Sequence, residues 1–247
     1  MQGYGTYRQR TTPNPEAAKG VGSMDAPSWE PNDPELEAAV RRYQRSLNTP
    51  TRRVQLYLKR PIDFVLASAC LIVTLIPLTI VAAVIRLESD GPALLRQRRL
   101  GQHGRVFHMY KLRSMFSTSK AKFNVDGSTR LLANDERLTR SGRFIRRIGI
   151  DELPQLVNVI RGEMSLIGPR PDQDFQLRHY SGHDYKKLAL RPGITSFAQV
   201  EGRNALPWRE RIALEINYVE HYSLWLDIKI VMKTARIVIT GAGSYNA

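Results

Sequence analysis

The longest apolar run of the chain lies between residues 64 and 85, FVLASACLIVTLIPLTIVAAVI, and contains no charged residue. As one straight helix these 22 residues would measure about 33 Å, close to the thickness of bilayer hydrocarbon. A helix in a soluble core is rarely apolar on every side over such a length. The pattern therefore predicts a helix that enters a membrane.

Positive charge flanks this run on both sides. Residues 41–60 carry seven Lys and Arg and no acid, and residues 86–113 carry seven more against two acids. A spanning helix normally has its excess of Lys and Arg on one side only. Because Pro77 removes a helical amide inside the run, it favours a bend. We therefore expect a re-entrant helix over residues 59–90 that turns at Pro77 and leaves on the side where it entered. An ordinary spanning helix with a proline kink is the alternative.

The rest of the chain alternates short strand patterns with helical patterns. We expect strands at residues 93–95 and 105–112, a polar loop at 117–135, and helices at 151–161, 208–221 and 224–239. The predicted fold class is α+β, mainly helical and monotopic, with a cytoplasmic catalytic domain over 91–247 and amphipathic helices at the membrane interface. Residues 1–58 are expected to form a disordered basic tail, since their first 50 residues are rich in Pro, Gly, Ser, Thr and Asn. A short helix at 33–47 fits the pattern, but we expect no docking of it.

The composition of the chain narrows the classes of partner and site that it could have. The 247 residues include 37 Lys and Arg against 23 Asp and Glu, which gives a formal charge of +14. This excess predicts nucleic acid, anionic lipid or a phosphorylated ligand as partner. Cys70 is the single cysteine, which excludes an intrachain disulfide and a multi-cysteine zinc site.

The candidate chemistry lies in residues 143–160, RFIRRIGIDELPQLVNVI. Pro154 fits a helix only in its first turn, so the adjacent acids Asp151 and Glu152 are expected at a helix N-terminus, where free amides attract phosphate. With three arginines just upstream, this could be a site for phosphate and a divalent metal. The alternative is that Asp151 only caps the helix while the arginines pair with lipid or with the acids. On these residues alone the capping alternative is favoured, because Asp caps are routine.

Two stiff loops carry further arginines. Residues 165–171, SLIGPRP, hold Arg170 between two prolines, and its guanidinium suits bidentate contact with a phosphate or a flat base. A plain proline turn with an exposed arginine explains the same residues equally well. Residues 191–204, RPGITSFAQVEGRN, begin with a similar Arg-Pro-Gly sequence.

Five segments in this order resemble the bacterial sugar transferases, the monotopic polyprenol-phosphate phosphoglycosyl transferases. They are KRPIDFVLA (59–67), GPALLRQRRLGQHGRVFHMYKLRSM (91–115), RRIGIDELPQLVNVIRGEMSLIGPRPD (146–172), RPGITSFAQVEGRN (191–204) and YSLWLDIKIVMKTARIVI (222–239). The resemblance covers roughly residues 59–240. Each segment alone is weak, and the ordered set is specific. The chain departs from the family's usual Ser-Pro break, which here is Ile76-Pro77, and has Glu215 where an Asp is frequent.

The resemblance implies transfer of a phospho-sugar from a UDP-sugar to polyprenol (undecaprenyl) phosphate, with release of UMP and Mg2+ as cofactor. It implies a covalent aspartyl intermediate, with Asp151 as nucleophile and Glu152 as metal ligand; in the same interpretation Asp151 also contacts the metal. Further substrate or phosphate contacts are expected at Arg146, Pro169, Arg170, Pro171, Lys111, Arg113, Arg191 and Arg203. The site would lie at the cytoplasmic face of the bacterial inner membrane, in the first membrane step of exopolysaccharide or O-antigen synthesis.

The expected partners are therefore the UDP-sugar donor, the polyprenol phosphate acceptor and an anionic lipid bilayer, and a homo-oligomer stays open. A function of another class is a non-catalytic, membrane-tethered basic adaptor that binds anionic lipid or nucleic acid with steep salt dependence. Nucleic acid is not expected, because the cations cluster around acids and prolines instead of alternating with aromatic platforms. A family member that has lost activity is a third interpretation, against which the intact acidic pair argues.

Overall fold

The computed structural model describes residues 29–119, 124, 135–202 and 206–240. Within them the chain is mainly helical, with two small two-stranded sheets. The helices are α1 Pro34–Ser46, α2 Pro50–Glu88, α3 Arg140–Ile148, α4 Leu156–Arg161, α5 Phe197–Glu201, α6 Trp208–Glu220 and α7 Leu224–Thr240. The strands are β1 Leu94–Leu100, β2 Val106–Leu112, β3 Ser165–Ile167 and β4 Gly193–Thr195. These elements confirm the predicted α+β class and the helices near 151–161, 208–221 and 224–239. The loop predicted at 117–135 lies largely outside the described residues.

Helix α2 is one continuous helix of 39 residues that runs through Pro61 and Pro77. At 1.5 Å per residue it is about 58 Å long. The side chain of Thr49 caps its start by accepting a hydrogen bond of 3.2 Å from the Arg52 amide. The helix therefore begins well before residue 59, and it continues past Pro77 as helix. The re-entrant course stays a prediction, because no membrane accompanies the structure.

One face of α2 packs on the rest of the protein along its whole length. Its buried residues include Ala67, Leu78 and Ile85, which join two apolar clusters of the core. The opposite face is apolar and exposed. Its most exposed residues within the uncharged run are Val65, Ile72, Val73 and Ile76, which are 61%, 75%, 77% and 71% exposed. An apolar surface of this extent is typical of contact with lipid.

Polar clamps attach the first half of α2 to distant elements. Arg52 donates hydrogen bonds to the carbonyls of Val219 and Glu220 at the end of α6. Lys59 lies 2.6 Å from a carboxylate oxygen of Asp227 on α7. The next turn carries Asp63, which accepts a hydrogen bond of 2.7 Å from the Ser165 hydroxyl on β3. These clamps place β3, and the loop that follows it, at a fixed position on the helix.

Further clamps hold the other end of α2 on the same domain. Arg113, from the end of β2, donates to the carbonyl of Ile85 at 3.1 Å, to that of Ser89 at 2.7 Å and to that of Asp90. The carboxylate of Glu88 accepts hydrogen bonds from the first residues of α3. Both ends of the apolar helix therefore rest on one folded unit.

Helix α1 docks firmly on the hairpin turn and on α6. Leu36 and Val40 are completely buried, and Glu37 pairs with Arg105 at 2.8 Å. The Gln44 side chain contacts the His103 ring at 2.9 Å. The expectation of a disordered tail up to residue 58 is therefore wrong for α1 and for the start of α2, and so is the expectation that α1 would not dock. An amphipathic helix can bury its apolar side on a neighbouring element even when its sequence surroundings are polar. Residues 1–28 lie outside the described residues.

The hairpin of β1 and β2 presents alternate side chains to the interior. In its antiparallel register Leu95 faces Lys111 and Arg99 faces Phe107. Exposure alternates along β1, so Leu95, Gln97 and Arg99 point inward while the residues between them are exposed. The inner face packs on the residues that follow α3. The short parallel pair of β3 and β4 brings the loops at 165–171 and 191–195 together.

We predict that Lys59→Met destabilises the protein by about 3 kcal/mol, because it leaves the buried carboxylates Asp63 and Asp227 without their cation. Arg53→Met on the exposed side of α2 is the matched control and should change stability by no more than about 0.5 kcal/mol. Urea unfolding in detergent, followed by circular dichroism, measures both. Equal stabilities of the two variants would show that the clamp at Lys59 does not hold α2.

Candidate active site

The acidic pair lies in a tight turn between two helices. Gly149, with φ of 77°, ends α3 and begins a 3-10 helix, Ile150–Gln155, which continues into α4. The amide of Glu152 donates to the carbonyl of Gly149 at 3.2 Å, so it is not free for a ligand. Asp151 occupies the first turn, while the capping position belongs to Gly149. The two acids therefore lie at the N-terminus of a helical segment, as predicted, although its first turns are a 3-10 helix. The alternative in which Asp151 only caps the helix is wrong, because Gly149 holds the capping position.

A lysine from the hairpin joins the two carboxylates. The ammonium of Lys111, on β2, lies 2.8 Å from Asp151 Oδ2 and 3.4 Å from Glu152 Oε1. The side chains of Asp151, Lys111 and Glu152 are 3%, 15% and 18% exposed. Carboxylates this poorly hydrated need cations and hydrogen bonds nearby to stay ionised. The prediction that Lys111 belongs to the site agrees with this placement.

Arg170 supplies the second cation. Its Nη2 atom lies 2.7 Å from Glu152 Oε1, while its side chain keeps 40% of its surface exposed. Burial raises the pKa of Glu152, but Arg170 and Lys111 outweigh it and hold this pKa well below its usual value. The charge of Glu152 in turn raises the pKa of Arg170. Glu152 and Arg170 are therefore both charged at neutral pH, and the half-exposed guanidinium lies at the edge of the site.

The loop that presents Arg170 is held by close backbone contacts. The amide of Gly168 donates to the carbonyl of Thr195 at 3.1 Å, and the amide of Gly193 donates to that of Pro169 at 3.0 Å. A Cβ atom at Gly168 would lie 2.3 Å from the Arg191 carbonyl oxygen, so only glycine fits. Both Pro169 and Pro171 are buried. The loop is therefore held rigidly and positions Arg170; it is not a plain exposed turn.

Of the four other arginines that were expected to contact phosphate, the structure gives one, Arg113, a different role. Arg113 is 2% exposed and is engaged by the carbonyls at the end of α2, so we assign it to capping that helix and not to phosphate binding. Burial, and then the positive charge of Arg60 on α2, lower the pKa of Arg191. Its contact with phosphate stays a prediction. Arg146 is half-buried in the last turn of α3, which ends shortly before Asp151 in the sequence. Arg203 lies outside the described residues.

Two further charged residues border the site and were missed as site residues by the sequence argument. Arg99 on β1 points inward beside the loop at 168–171, and its Nη1 lies 3.4 Å from the Pro171 carbonyl. Glu215 on α6 is 1% exposed, and burial raises its pKa. The sequence Arg96-Gln97-Arg98-Arg99 is polar throughout and lies beyond the strand predicted at 93–95, so it gave no signal for the inward position of Arg99. Glu215 had been noted only as a departure from the family pattern.

The two acids fit a magnesium ion that arrives with a phosphorylated ligand. Among the described residues there is no group of three or more His, Cys, Asp and Glu that could hold a metal. Mg2+ commonly takes one or two protein carboxylates and completes its shell with substrate phosphates and water. The adjacent carboxylates of Asp151 and Glu152 match that requirement.

Fold and site together combine an exposed apolar helix with a buried acidic pair that is held by two cations. The profile of one family, "Bacterial sugar transferase", matches residues 54–241. The chain belongs to the bacterial sugar transferase family, as the resemblance predicted.

Individual relatives are similar over most of this chain. "Uncharacterized sugar transferase EpsL" of Bacillus subtilis is 40% identical over 75% of this chain and 89% of its own length. "UDP-glucose:undecaprenyl-phosphate glucose-1-phosphate transferase" of Caulobacter vibrioides is 41% identical over 79% of this chain and 75% of its own length. "Undecaprenyl-phosphate galactose phosphotransferase" of Salmonella typhimurium is 37% identical over 81% of this chain, which spans 44% of that relative.

We predict that Lys111→Met destabilises the protein by about 3 kcal/mol at pH 7, since it leaves two neighbouring buried carboxylates with Arg170 as their remaining cation. Loss of Lys111 removes one of the charges that hold the pKa of Glu152 down, so this pKa rises, protonation at lower pH removes part of the repulsion, and the deficit relative to wild type shrinks at pH 5. Urea unfolding at both pH values measures this difference. Lys233→Met, which breaks a surface pair with Glu201, should cost at most about 1 kcal/mol. A Lys111→Met deficit that grew as the pH fell would contradict the electrostatic role of Lys111.

Proposed function

We propose that this protein transfers a phospho-sugar from a UDP-sugar to polyprenol phosphate, as a phosphoglycosyl transferase of exopolysaccharide-type synthesis. The observation that carries the proposal is the buried Asp151–Glu152 pair, held by Lys111 and Arg170, in a domain fixed to an exposed apolar helix. The names of its relatives support the donor and acceptor classes, because they specify UDP-glucose and undecaprenyl phosphate. A basic adaptor that binds anionic lipid or nucleic acid would not require a buried acidic pair, so this pair favours the transferase.

In the first step a carboxylate oxygen of Asp151 attacks the β-phosphorus of the donor. A new carboxyl–phosphorus bond forms, the bond between this phosphorus and the bridging oxygen breaks, and UMP leaves with the electron pair. In the second step an oxygen of polyprenol phosphate attacks the same phosphorus, and the bond to Asp151 breaks. The carboxylate is regenerated, and one pyrophosphate linkage replaces another without a separate energy source. A covalent intermediate thus divides one transfer into two in-line displacements.

The side chains around Asp151 supply the positive charge that both steps need. The guanidinium of Arg170 offers a planar fork of donors to phosphoryl oxygens, and the ammonium of Lys111 offers a compact charge. Before reaction these cations neutralise the carboxylates, and on donor binding they are shared with the phosphates. A bound Mg2+, held by Glu152 and Asp151, would neutralise further charge on the diphosphate.

The acceptor is a lipid, and the position of α2 suits its delivery from one leaflet. Arg52 and Glu88, near the two ends of this helix, contact the same domain, which favours having both ends on one side of the membrane. This supports the re-entrant course and a location at the cytoplasmic face of the inner membrane, where UDP-sugars are made. The exposed apolar residues of α7, among them Trp225, which is 60% exposed, extend the surface that could rest in the interface.

We predict that Asp151→Asn lowers UMP release from a UDP-sugar, in the presence of polyprenol phosphate and Mg2+, by at least about 10³-fold, because the amide cannot act as nucleophile. A panel of UDP-sugars tested on the wild-type protein identifies the donor first. Glu210→Gln, an exposed acid on α6, is the control and should release UMP at the wild-type rate. Full release by Asp151→Asn would exclude this residue as nucleophile.

For the membrane course we predict that cysteines at Ser46 and Ser117, introduced singly into a Cys70→Ser background, respond alike to a membrane-impermeant maleimide. Both positions are exposed and lie on opposite sides of α2 along the chain. Both should react in sealed inside-out vesicles, and both should be protected in intact spheroplasts. Opposite responses would establish a helix that spans the bilayer.

A further inference from the structure

Arg99 is a cation at the site that has no carboxylate partner among the described residues. It lies on the inner face of the hairpin, the face that also carries Lys111. Its Nη2 donates to the side-chain oxygen of Gln97 at 2.8 Å, and its Nη1 reaches the Pro171 carbonyl at 3.4 Å. Its Nε is buried and makes no hydrogen bond. The neighbouring Arg98 differs, because it is exposed and paired with Asp174.

Arg99 lies close enough to Arg170 for the two positive charges to repel each other. Burial, and then the positive charge of Arg170, lower the pKa of Arg99 to about 10, so the guanidinium still carries its charge at neutral pH. Arg170 is already bound to Glu152, whereas Arg99 has only a neutral amide and a carbonyl. Arg99, Arg170 and Lys111 place three cations beside Asp151 and Glu152, while the nearby Asp172 and Asp174 pair with Lys187 and Arg98. The cations therefore exceed the acids by one, an excess that an anion would satisfy.

The positions of Arg170 and Arg99 relative to Asp151 indicate which anion Arg99 would bind. Arg170 contacts Glu152 at 2.7 Å, whereas Arg99 contacts neither acid of the pair and reaches the Pro171 carbonyl instead. In the hairpin, Leu95 is the cross-strand partner of Lys111, which contacts Asp151, and Arg99 lies farther along β1, opposite Phe107. Arg99 is therefore placed farther than Arg170 from the proposed nucleophile. A donor whose β-phosphorus faces Asp151 has one more phosphate, and that phosphate leaves as part of UMP.

We propose that Arg99 binds the α-phosphate of the UDP-sugar, while Arg170 contacts the β-phosphate that reacts. This inference rests on the proposed function and assigns a phosphate-binding residue on β1. The two Nη atoms of Arg99 contact only the neutral oxygens of Gln97 and Pro171, so they are the donors that would turn to the phosphate oxygens. On leaving, UMP keeps this contact, so Arg99 governs affinity for the nucleotide phosphate and not for the lipid acceptor.

Binding of UMP and of uridine, without turnover, tests the assignment by calorimetry on the detergent-solubilised protein. We expect Arg99→Gln to weaken UMP binding at least tenfold and to leave uridine binding unchanged. Arg99→Lys should lie between the two proteins, because it keeps the charge and loses the fork. Arg98→Gln on the same strand should bind both ligands as wild type does. Wild-type UMP affinity in Arg99→Gln, or an equal loss for uridine, would overturn the proposal.

Kinetics separate this inference from the proposed function. In a wild-type protein that releases UMP, Arg99→Gln should raise the KM for the UDP-sugar at least tenfold and leave the KM for polyprenol phosphate unchanged. A wild-type protein that binds UMP but transfers no sugar phosphate would contradict the proposed function alone. Should Arg99→Gln fail to fold, as judged by its thermal melt, the Arg99→Lys variant decides: wild-type UMP affinity in that variant overturns the assignment.

Discussion

Two adjacent carboxylates, Asp151 and Glu152, are removed from water, and this is possible only because cations from distant parts of the chain reach them. Lys111 comes from the hairpin and Arg170 from the loop after β3, at 2.8 Å and 2.7 Å from their carboxylate partners. An unpaired buried carboxylate would cost several kcal/mol. The hairpin, the 3-10 turn and the rigid loop must therefore fold together, and the same charges that stabilise the turn are those that a diphosphate needs.

The apolar helix is tied to this arrangement through a second set of polar contacts. Asp63 on α2 holds Ser165 at the start of the strand that leads to Arg170, and Arg113 leaves the strand of Lys111 to cap the end of the same helix. Each site cation thus lies a few residues along the chain from a clamp on α2. The distance between the lipid-facing surface and the acidic pair is fixed by these contacts, as transfer to a membrane-embedded acceptor requires.

Local sequence patterns were sufficient to predict those features of the fold and site that are determined by residues close together along the chain. The uncharged run, the alternation of the hairpin, the acidic pair before Pro154 and the arginine between two prolines were all visible, because periodicity and proline chemistry act locally. The docking of α1 was not, since Leu36 and Val40 are buried by elements far away in sequence. The same distinction, between local features and contacts with distant elements, applies to the cationic residues. Nothing in the sequence separates Lys111, which reaches the acids, from Arg113, which contacts the end of α2. Two residues apart, they would share a face if the strand continued, but β2 ends at Leu112, before Arg113.

The central claim is that Asp151 becomes covalently phosphorylated by the donor. Intact-mass spectrometry of the protein, quenched in acid during turnover with a UDP-sugar and without polyprenol phosphate, examines this directly. We predict an added mass equal to one sugar phosphate, mapped by fragmentation to Asp151 and discharged when polyprenol phosphate is supplied. A protein that releases UMP and transfers the sugar phosphate to the lipid, yet never carries this mass on Asp151, would contradict the claim.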